Sequence, residues 1–264
     1  MTEIGGNNPG HTIALPGRKD QTFTFAWAAG THTGYRRAAN EDSYVARSPV
    51  FAVADGMGGH SAGDLASATV VERLDDAITG DFIPARAVER ALERATDHIG
   101  LIAQDRELGV GTTVTGVIVT QHHDSASFAV FNVGDSRVYN YEDDRLVQIT
   151  RDHSVVQDLV EAGLISRHEA EEHPDANIIT RAIGFNAAPS PDFWMVPIHA
   201  GQRVLICSDG LTREVADEQI ALQLAECTEP DAAVAQLIDL ALEGGGRDNI
   251  TAIVLDVLEV PATT

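Results

Sequence analysis

The sequence predicts an α+β fold built in layers. Two observations carry this. Short β-like runs follow one another directly, and amphipathic helical stretches stand in separate pairs, without the strict alternation of a doubly wound parallel sheet. A third observation sets the scale: 264 residues, 44% of them apolar, are enough to bury a sizeable core.

The elements read in order as follows. Residues 1–21 contain "GGNNPG" and "LPG" with little periodicity, which predicts a flexible tail. "TFTFAWAAG" (22–30) and "SPVFAVAD" (48–55) read as strands, the second ending at Asp55. Apolar residues at helical spacing predict helices over 62–79 and 85–104, the latter opened by Pro84. "GTTVTGVIVT", "SASFAVFNVG" and "RVYNYEDDRLVQIT" read as consecutive antiparallel strands with turns at "QHHD" and "EDD". The span 152–192 is polar, irregular and helical in patches. "RVLICSDG" (203–210) is a buried strand ending in Asp-Gly, and helices over 217–225 and 231–242 follow. "GGGRDN" leads into a last strand, 250–260, and residues 261–264 form a short tail.

The formal charge of −22 excludes a nucleic-acid binder, which needs a basic face, and disfavours adsorption to anionic membranes. Lys19 is the sole lysine, so no lysine nucleophile is expected in the folded domain. Cys207 and Cys227 have no disulfide-framework spacing, and no apolar run reaches the roughly 20 residues of a spanning helix. A cytoplasmic chain is the expectation.

The stretch "VFAVADGMGGHSAGDLAS" could be a turn, a phosphate loop or a metal site. A Walker-type loop fails because no Gly-Lys-Ser/Thr follows. Four aspartates share its setting. Asp55 ends "VFAVAD", Asp135 follows "FAVFNVG", Asp209 ends "VLICSD", and Asp248 precedes the last strand. If strand ends bring them together, they cannot all ionise without a counter-charge, and an all-oxygen set suits Mg²⁺ or Mn²⁺.

Six stretches in order carry a resemblance: "RAANED" (37–42), "VADGMGGH" (53–60), "GTT" (111–113), "NVGDSR" (132–137), "CSDGL" (207–211) and "GGRDNIT" (245–251). Together they resemble the bacterial type 2C (PPM) metal-dependent Ser/Thr protein phosphatases over nearly the whole chain. The resemblance implies a four-layer α/β/β/α sandwich: two antiparallel sheets flanked by helix pairs, with a binuclear metal cleft at one edge. It makes 22–260 the catalytic domain and about 152–192 the flap beside the cleft. Asp55 would bridge two Mn²⁺ or Mg²⁺ ions, and the Gly56 carbonyl would bind the second, which would account for a residue without a side chain there. Asp209 and Asp248 would complete the first ion. Asp135, with Asp209, would serve a third, weaker position, and Glu41 and Asp42 would act through metal-bound water. Arg37 would hold the substrate phosphate while a metal-bridging hydroxide attacks phosphorus directly.

The resemblance also implies phosphoprotein substrates of a bacterial Ser/Thr kinase, and a monomer is the expectation. Relatives outside bacteria often place a histidine directly after the Asp-Gly as general acid; here Met57 stands there. His60 is then either the leaving-group acid or a helix-entry histidine. His153 reads as structural, capping the next segment or lying near the cleft. His122 and His123 read as a hairpin turn, and His168 and His173 lack zinc spacing. Ser136 lacks the glycine pattern of a nucleophile elbow. Asp75 and Asp76 read as a solvated helix face. Two rivals stand beside the phosphatase reading: a regulator phosphatase specialised for one partner, and an inactive binding module.

Overall fold

The computed structural model describes all residues except 59–61, 104–108, 124, 172, 186–189 and 262–264, together with the side chains of residues 102 and 171. In chain order the elements are β1 (Glu3–Gly5), β2 (Asn8–Leu15), β3 (Arg18–His32), β4 (Asp42–Arg47), β5 (Val50–Met57), α1 (Gly63–Asp76) and α2 (Ala85–Ala103). Next come β6 (Gly111–Thr112), β7 (Val114–His122), β8 (Ser125–Val133), β9 (Arg137–Glu142), β10 (Arg145–Gln148), α3 (Val155–Glu161) and α4 (Arg167–Glu171). The chain continues with β11 (Asp192–Pro197), β12 (Arg203–Cys207), α5 (Asp209–Thr212), α6 (Asp217–Glu226), α7 (Pro230–Gly244) and β13 (Ile250–Glu259). One sheet runs β1-β4-β5-β7-β8-β11, with β6 paired to β5; the other runs β10-β9-β12-β13-β3-β2.

Strand periodicity explains the layers. On β5, Phe51 and Val53 join the core between the two sheets, while Val50, Ala52 and Ala54 pack in the core shared with α1 and α2. β13 behaves alike: Ile253, Leu255 and Val257 face the other sheet, and Ile250, Ala252 and Val254 pack with α6 and α7. Strands covered on both faces read as unbroken apolar runs because both side-chain rows are buried. The helices match. Val88, Ala91, Leu92, Ala95 and Ile99 bury one stripe of α2, and Ala233, Val234, Leu237 and Ala241 one stripe of α7. The sequence-based α/β/β/α sandwich is therefore present.

Three features depart from the reading. The first concerns the expected flexible tail at 1–21, most of which is strand. β2 pairs antiparallel with β3, and Trp27 Nε1 donates to the carbonyls of Gly6 and Ala46 at 2.8 and 3.1 Å. Ile13 and Leu15 are buried, so alternation in "HTIAL" carried a signal that its glycine-rich flanks obscured. Second, the sheets are not wholly antiparallel, because β1 lies parallel to β4. Between them the chain crosses to the other sheet as β2 and β3, and such a crossover permits parallel pairing. Third, β4 and β11 are additional strands, short and without a long apolar run. Both predicted hairpins are present, and Asp143 and Asp144 in "EDD" hold φ of 51° and 57°, as a two-residue primed turn requires.

Asp75 and Asp76 pair with Arg47 and Arg73, as a solvated helix face allows. Among the described residues, no helix is long and apolar enough to cross a membrane.

Candidate active site

The alternation that builds the inter-sheet core also delivers the acidic residues. On β5 the inward row Phe51, Val53 ends in Asp55; on β4 the inward row Ala46, Tyr44 begins at Asp42, and Asp42 is the register partner of Asp55. On β13 the row Leu255, Ile253 begins at Thr251, and past β12 the row Val204, Ile206 reaches Ser208. Ser208 Oγ and Thr251 Oγ1 both donate to Asp42 Oδ2, at 2.9 and 2.6 Å. One end of the sandwich is thus a polar plug where the apolar rows stop.

A cleft of about 580 Å³ opens at this edge. Its lining includes Arg37, Glu41, Asp55, Gly56, Asp135, Asp209 and Asp248. Asp42 is not in the lining. It is fully buried behind the cleft, with its Oδ1 lacking a partner. His60 lies outside the described residues. Asn177, Ile179 and Phe185, from the segment expected to form the flap, also line the cleft.

The motifs lock one another. Thr113 N and Thr112 Oγ1 donate to the Asp55 carbonyl at 2.9 and 2.8 Å, while Asp55 N donates to Thr113 Oγ1 at 3.1 Å. "GTT" is therefore the clamp on the Asp55 backbone. Asn249 does the same for "RAANED": its Nδ2 donates to the Thr33 and Ala39 carbonyls at 2.9 and 3.0 Å, and its Oδ1 accepts from Glu41 N at 2.8 Å. The loop bearing Arg37 and Glu41 is thus pinned to the loop bearing Asp248. Arg37 Nη2 donates to Asp248 Oδ2 at 2.7 Å, with about half of the Arg37 side chain exposed.

His153 is not a cap. Ser154 caps α3 by accepting from Gln157 N. His153 is fully buried, its Nδ1 accepting from Gly134 N at 3.0 Å and its Nε2 lying 3.1 Å from Asp192 Oδ2. The imidazole thereby holds the Asp135 loop against the base of the 152–192 segment. Arg137 clamps Asp152 through Nε and Nη2 at 2.9 and 2.7 Å, which explains "RDHS" structurally.

The profile of the protein phosphatase 2C family matches residues 29–240. The chain belongs to the protein phosphatase 2C family. Serine/threonine protein phosphatase PstP of Mycobacterium tuberculosis is 40% identical over 245 residues, covering 90% of this chain and 46% of the relative. The chain thus spans about half the length of that curated relative. Serine/threonine phosphatase stp of Listeria innocua is 34% identical, with 86% of this chain and 93% of the relative covered. The catalytic domain of PstP, solved in complex with 2 manganese ions, aligns with a TM-score of 0.77 at 37% identity, covering 89% of this chain and 99% of that structure.

Among the described residues of this 2C-family chain, no three His, Cys, Asp or Glu side chains converge closely enough, as they stand, to hold a metal ion. The donor chemistry nevertheless fits one. Asp42 Oδ1 and Asp209 Oδ1 are buried without partners. Burial, and then neighbouring carboxylates, push Asp55 well above the ordinary carboxylate range; burial, partly offset by Arg213, raises Asp209 as well. Such a set lacks positive charge, which a divalent cation supplies.

The same shifts predict a pH dependence in EDTA. Burial above all lifts Asp42 and Asp135 from the ordinary 3.8 to about 7. The folded chain keeps protons there that the unfolded chain has released, so this stability is present below about pH 4 and is lost as pH rises through about 7. Asp192 and Glu214, held low by arginine hydrogen bonds, titrate below that window. Burial lowers His153, which opposes the trend, but it is one group against the raised carboxylates of Glu41, Asp42, Asp55, Asp135 and Asp209. The melting temperature in EDTA should therefore fall between about pH 5 and pH 8; a rise by scanning fluorimetry would contradict the cluster's raised values.

Two residues escaped sequence reading. Asn249 sits inside a quoted motif, but its three long-range bonds are invisible in one dimension. Arg213 follows Asp209 at i+4, a spacing that signals a helical ion pair. The shortness of α5 hid it.

Proposed function

We propose that this chain is a metal-dependent protein serine/threonine phosphatase. The observation that carries the reading is the convergence of Asp55, Asp209, Asp248 and Asp135 on one cleft, with Arg37 at its edge. The names of the 2C-family relatives support the same activity. In this reading Asp55, Asp209 and Asp248, with the Gly56 carbonyl, hold two Mn²⁺ or Mg²⁺ ions. When bound, the ions supply a water of lowered pKa as nucleophile and offset charge on the phosphoryl oxygens.

The chain's own residues do the rest. Arg37 has five N–H donors, of which Asp248 engages one, leaving a planar fork for two phosphate oxygens. Glu41, raised by burial and by Asp64, lines the cleft where a carboxyl can hold water. Asp42 sets the charge behind Asp55 and does not reach substrate. Ile179, Phe185 and Met57 provide apolar wall that limits water. Proposed substrates are phosphoserine and phosphothreonine proteins made by a Ser/Thr kinase. Two unpaired cysteines fit a reducing, cytoplasmic setting.

Phosphate release from a phosphothreonine peptide, with Mn²⁺ and with EDTA, tests the reading. Release with metal alone is expected; none with Mn²⁺ would favour the binding module. Arg37→Ala should raise KM by roughly 10- to 100-fold, the worth of a lost charge-assisted bond, with a smaller fall in kcat. An unchanged KM would remove Arg37 from phosphate binding.

A further inference from the structure

Arg213 reaches into the acidic cluster from α5, whose single turn returns its backbone N–H to the Asp209 carbonyl at 2.9 Å. Its Nη2 lies 2.5 Å from Asp209 Oδ2 and 3.5 Å from Asp135 Oδ2, and its Nη1 lies 3.9 Å from Asp248 Oδ2. Asp209 is thus divided. Oδ2 faces the guanidinium, while Oδ1 is buried without a partner. Asp135 also has no cation other than Arg213 within ion-pair distance among the described residues.

Asp135 and Asp209 are the pair to which the family resemblance assigns a third, weaker ion. We propose that Arg213 is a built-in third cation: its guanidinium takes the Asp135–Asp209 pair, so the chain binds two divalent ions and excludes a third. A guanidinium keeps its charge at any working pH, and it meets carboxylates with a fork of donors. An incoming ion would have to share Asp209 Oδ2 and Asp135 Oδ2 with a permanent positive charge a few ångströms away, which strongly opposes it. The two principal positions keep donors of their own: Asp55, Gly56 and Asp209 Oδ1 are not engaged by Arg213, and its approach to Asp248 Oδ2 is only 3.9 Å.

The inference rests on the metal-binding reading proposed above. Its test is direct. Crystals of the wild type, Arg213→Gln and Arg213→Lys are soaked with Mn²⁺ in large excess, and anomalous difference peaks are counted. Isothermal titration with Mn²⁺ gives the stoichiometry in solution. The wild type and Arg213→Lys are expected to show two ions, with nothing between Asp135 and Asp209. Arg213→Gln is expected to gain a third ion there.

A third peak in the wild type, or only two in Arg213→Gln, would overturn the inference and leave the metal-dependent reading intact. Absence of any bound Mn²⁺ would overturn both. If Arg213→Gln does not fold, the wild-type density between Asp135 and Asp209 still decides.

Discussion

Asp55→Asn is expected to abolish metal-dependent phosphate release while leaving the fold in place. Asp55 ends an inter-sheet row and lies within reach of four other carboxylates, Asp42, Asp209, Asp135 and Asp248. Asparagine keeps its shape, and the backbone clamp from Thr112 and Thr113 does not involve the carboxylate. The variant loses a charge that the proposed ions require, so activity should fall by about a thousandfold or more, at least what loss of a single electrostatic catalytic group costs. Stability should move in the opposite direction. Burial, and then the carboxylates of Asp42, Asp209, Asp135 and Asp248, oppose the ionised form of Asp55, so the melting temperature in EDTA at pH 8 should rise, and the increase caused by Mn²⁺ should shrink. Activity within tenfold of the wild type would remove Asp55 from the metal site.

Gly56→Ala has the largest expected effect on stability. A Cβ at Gly56 would lie 2.2 Å from the Gly63 carbonyl oxygen and 2.6 Å from that of Glu41. Both are backbone atoms. The first belongs to the start of α1 and the second to the loop that Asn249 pins, so neither can yield cheaply. Overpacking of this kind costs about 3 kcal/mol or more, which corresponds to a fall of roughly 6–12 °C in melting temperature for a domain of this size. Gly100→Ala supplies the contrast. That glycine lies in α2, and a Cβ there would meet no atom within 4 Å, so alanine should stabilise the chain by about 1 kcal/mol through helix propensity. Equal effects at the two positions, by scanning fluorimetry, would show that close approach is not what requires glycine at 56.

The Asp-Gly pairs gain a second meaning from this contrast. The family resemblance assigns the Gly56 carbonyl to an ion and takes that as the reason for glycine. The structure supplies a separate reason, contact with Gly63 and Glu41. Gly210 in the second Asp-Gly has the same kind of constraint, since a Cβ there would sit 1.9 Å from the Asn249 carbonyl oxygen. In both cases a loop from elsewhere in the chain crosses directly over the residue after the aspartate. Spacing along the chain cannot show such a crossing, because it depends on where the other loop lands.

The elements with strong periodicity were legible: β5, β7, β8, β12, β13, α2 and α7 all carry rows of apolar residues whose burial follows from strand or helix period. β1, β2, β4 and β11 were not. They are short or polar-flanked, and their pairing partners lie in distant parts of the sequence. The candidate site divides in the same way. Asp55, Asp135, Asp209 and Asp248 could be picked out because each ends or precedes a buried run. Asp42 could be picked out too, but its burial behind Asp55, bonded to Ser208 and Thr251, could not.

The sequence by itself determined which residues face the inter-sheet core, and hence which carboxylates arrive at its edge, since a two-residue period is a local property of the strand. Only the tertiary structure decided what meets them there. Arg213 holds Asp209 and Asp135, Asn249 ties the Arg37 loop to the Asp248 loop, and His153 joins the Asp135 loop to Asp192. Except for the i,i+4 pair of Arg213 and Asp209, these contacts join segments that are far apart in sequence. Their formation depends on the packed sheets bringing those loops together, and no local pattern records it.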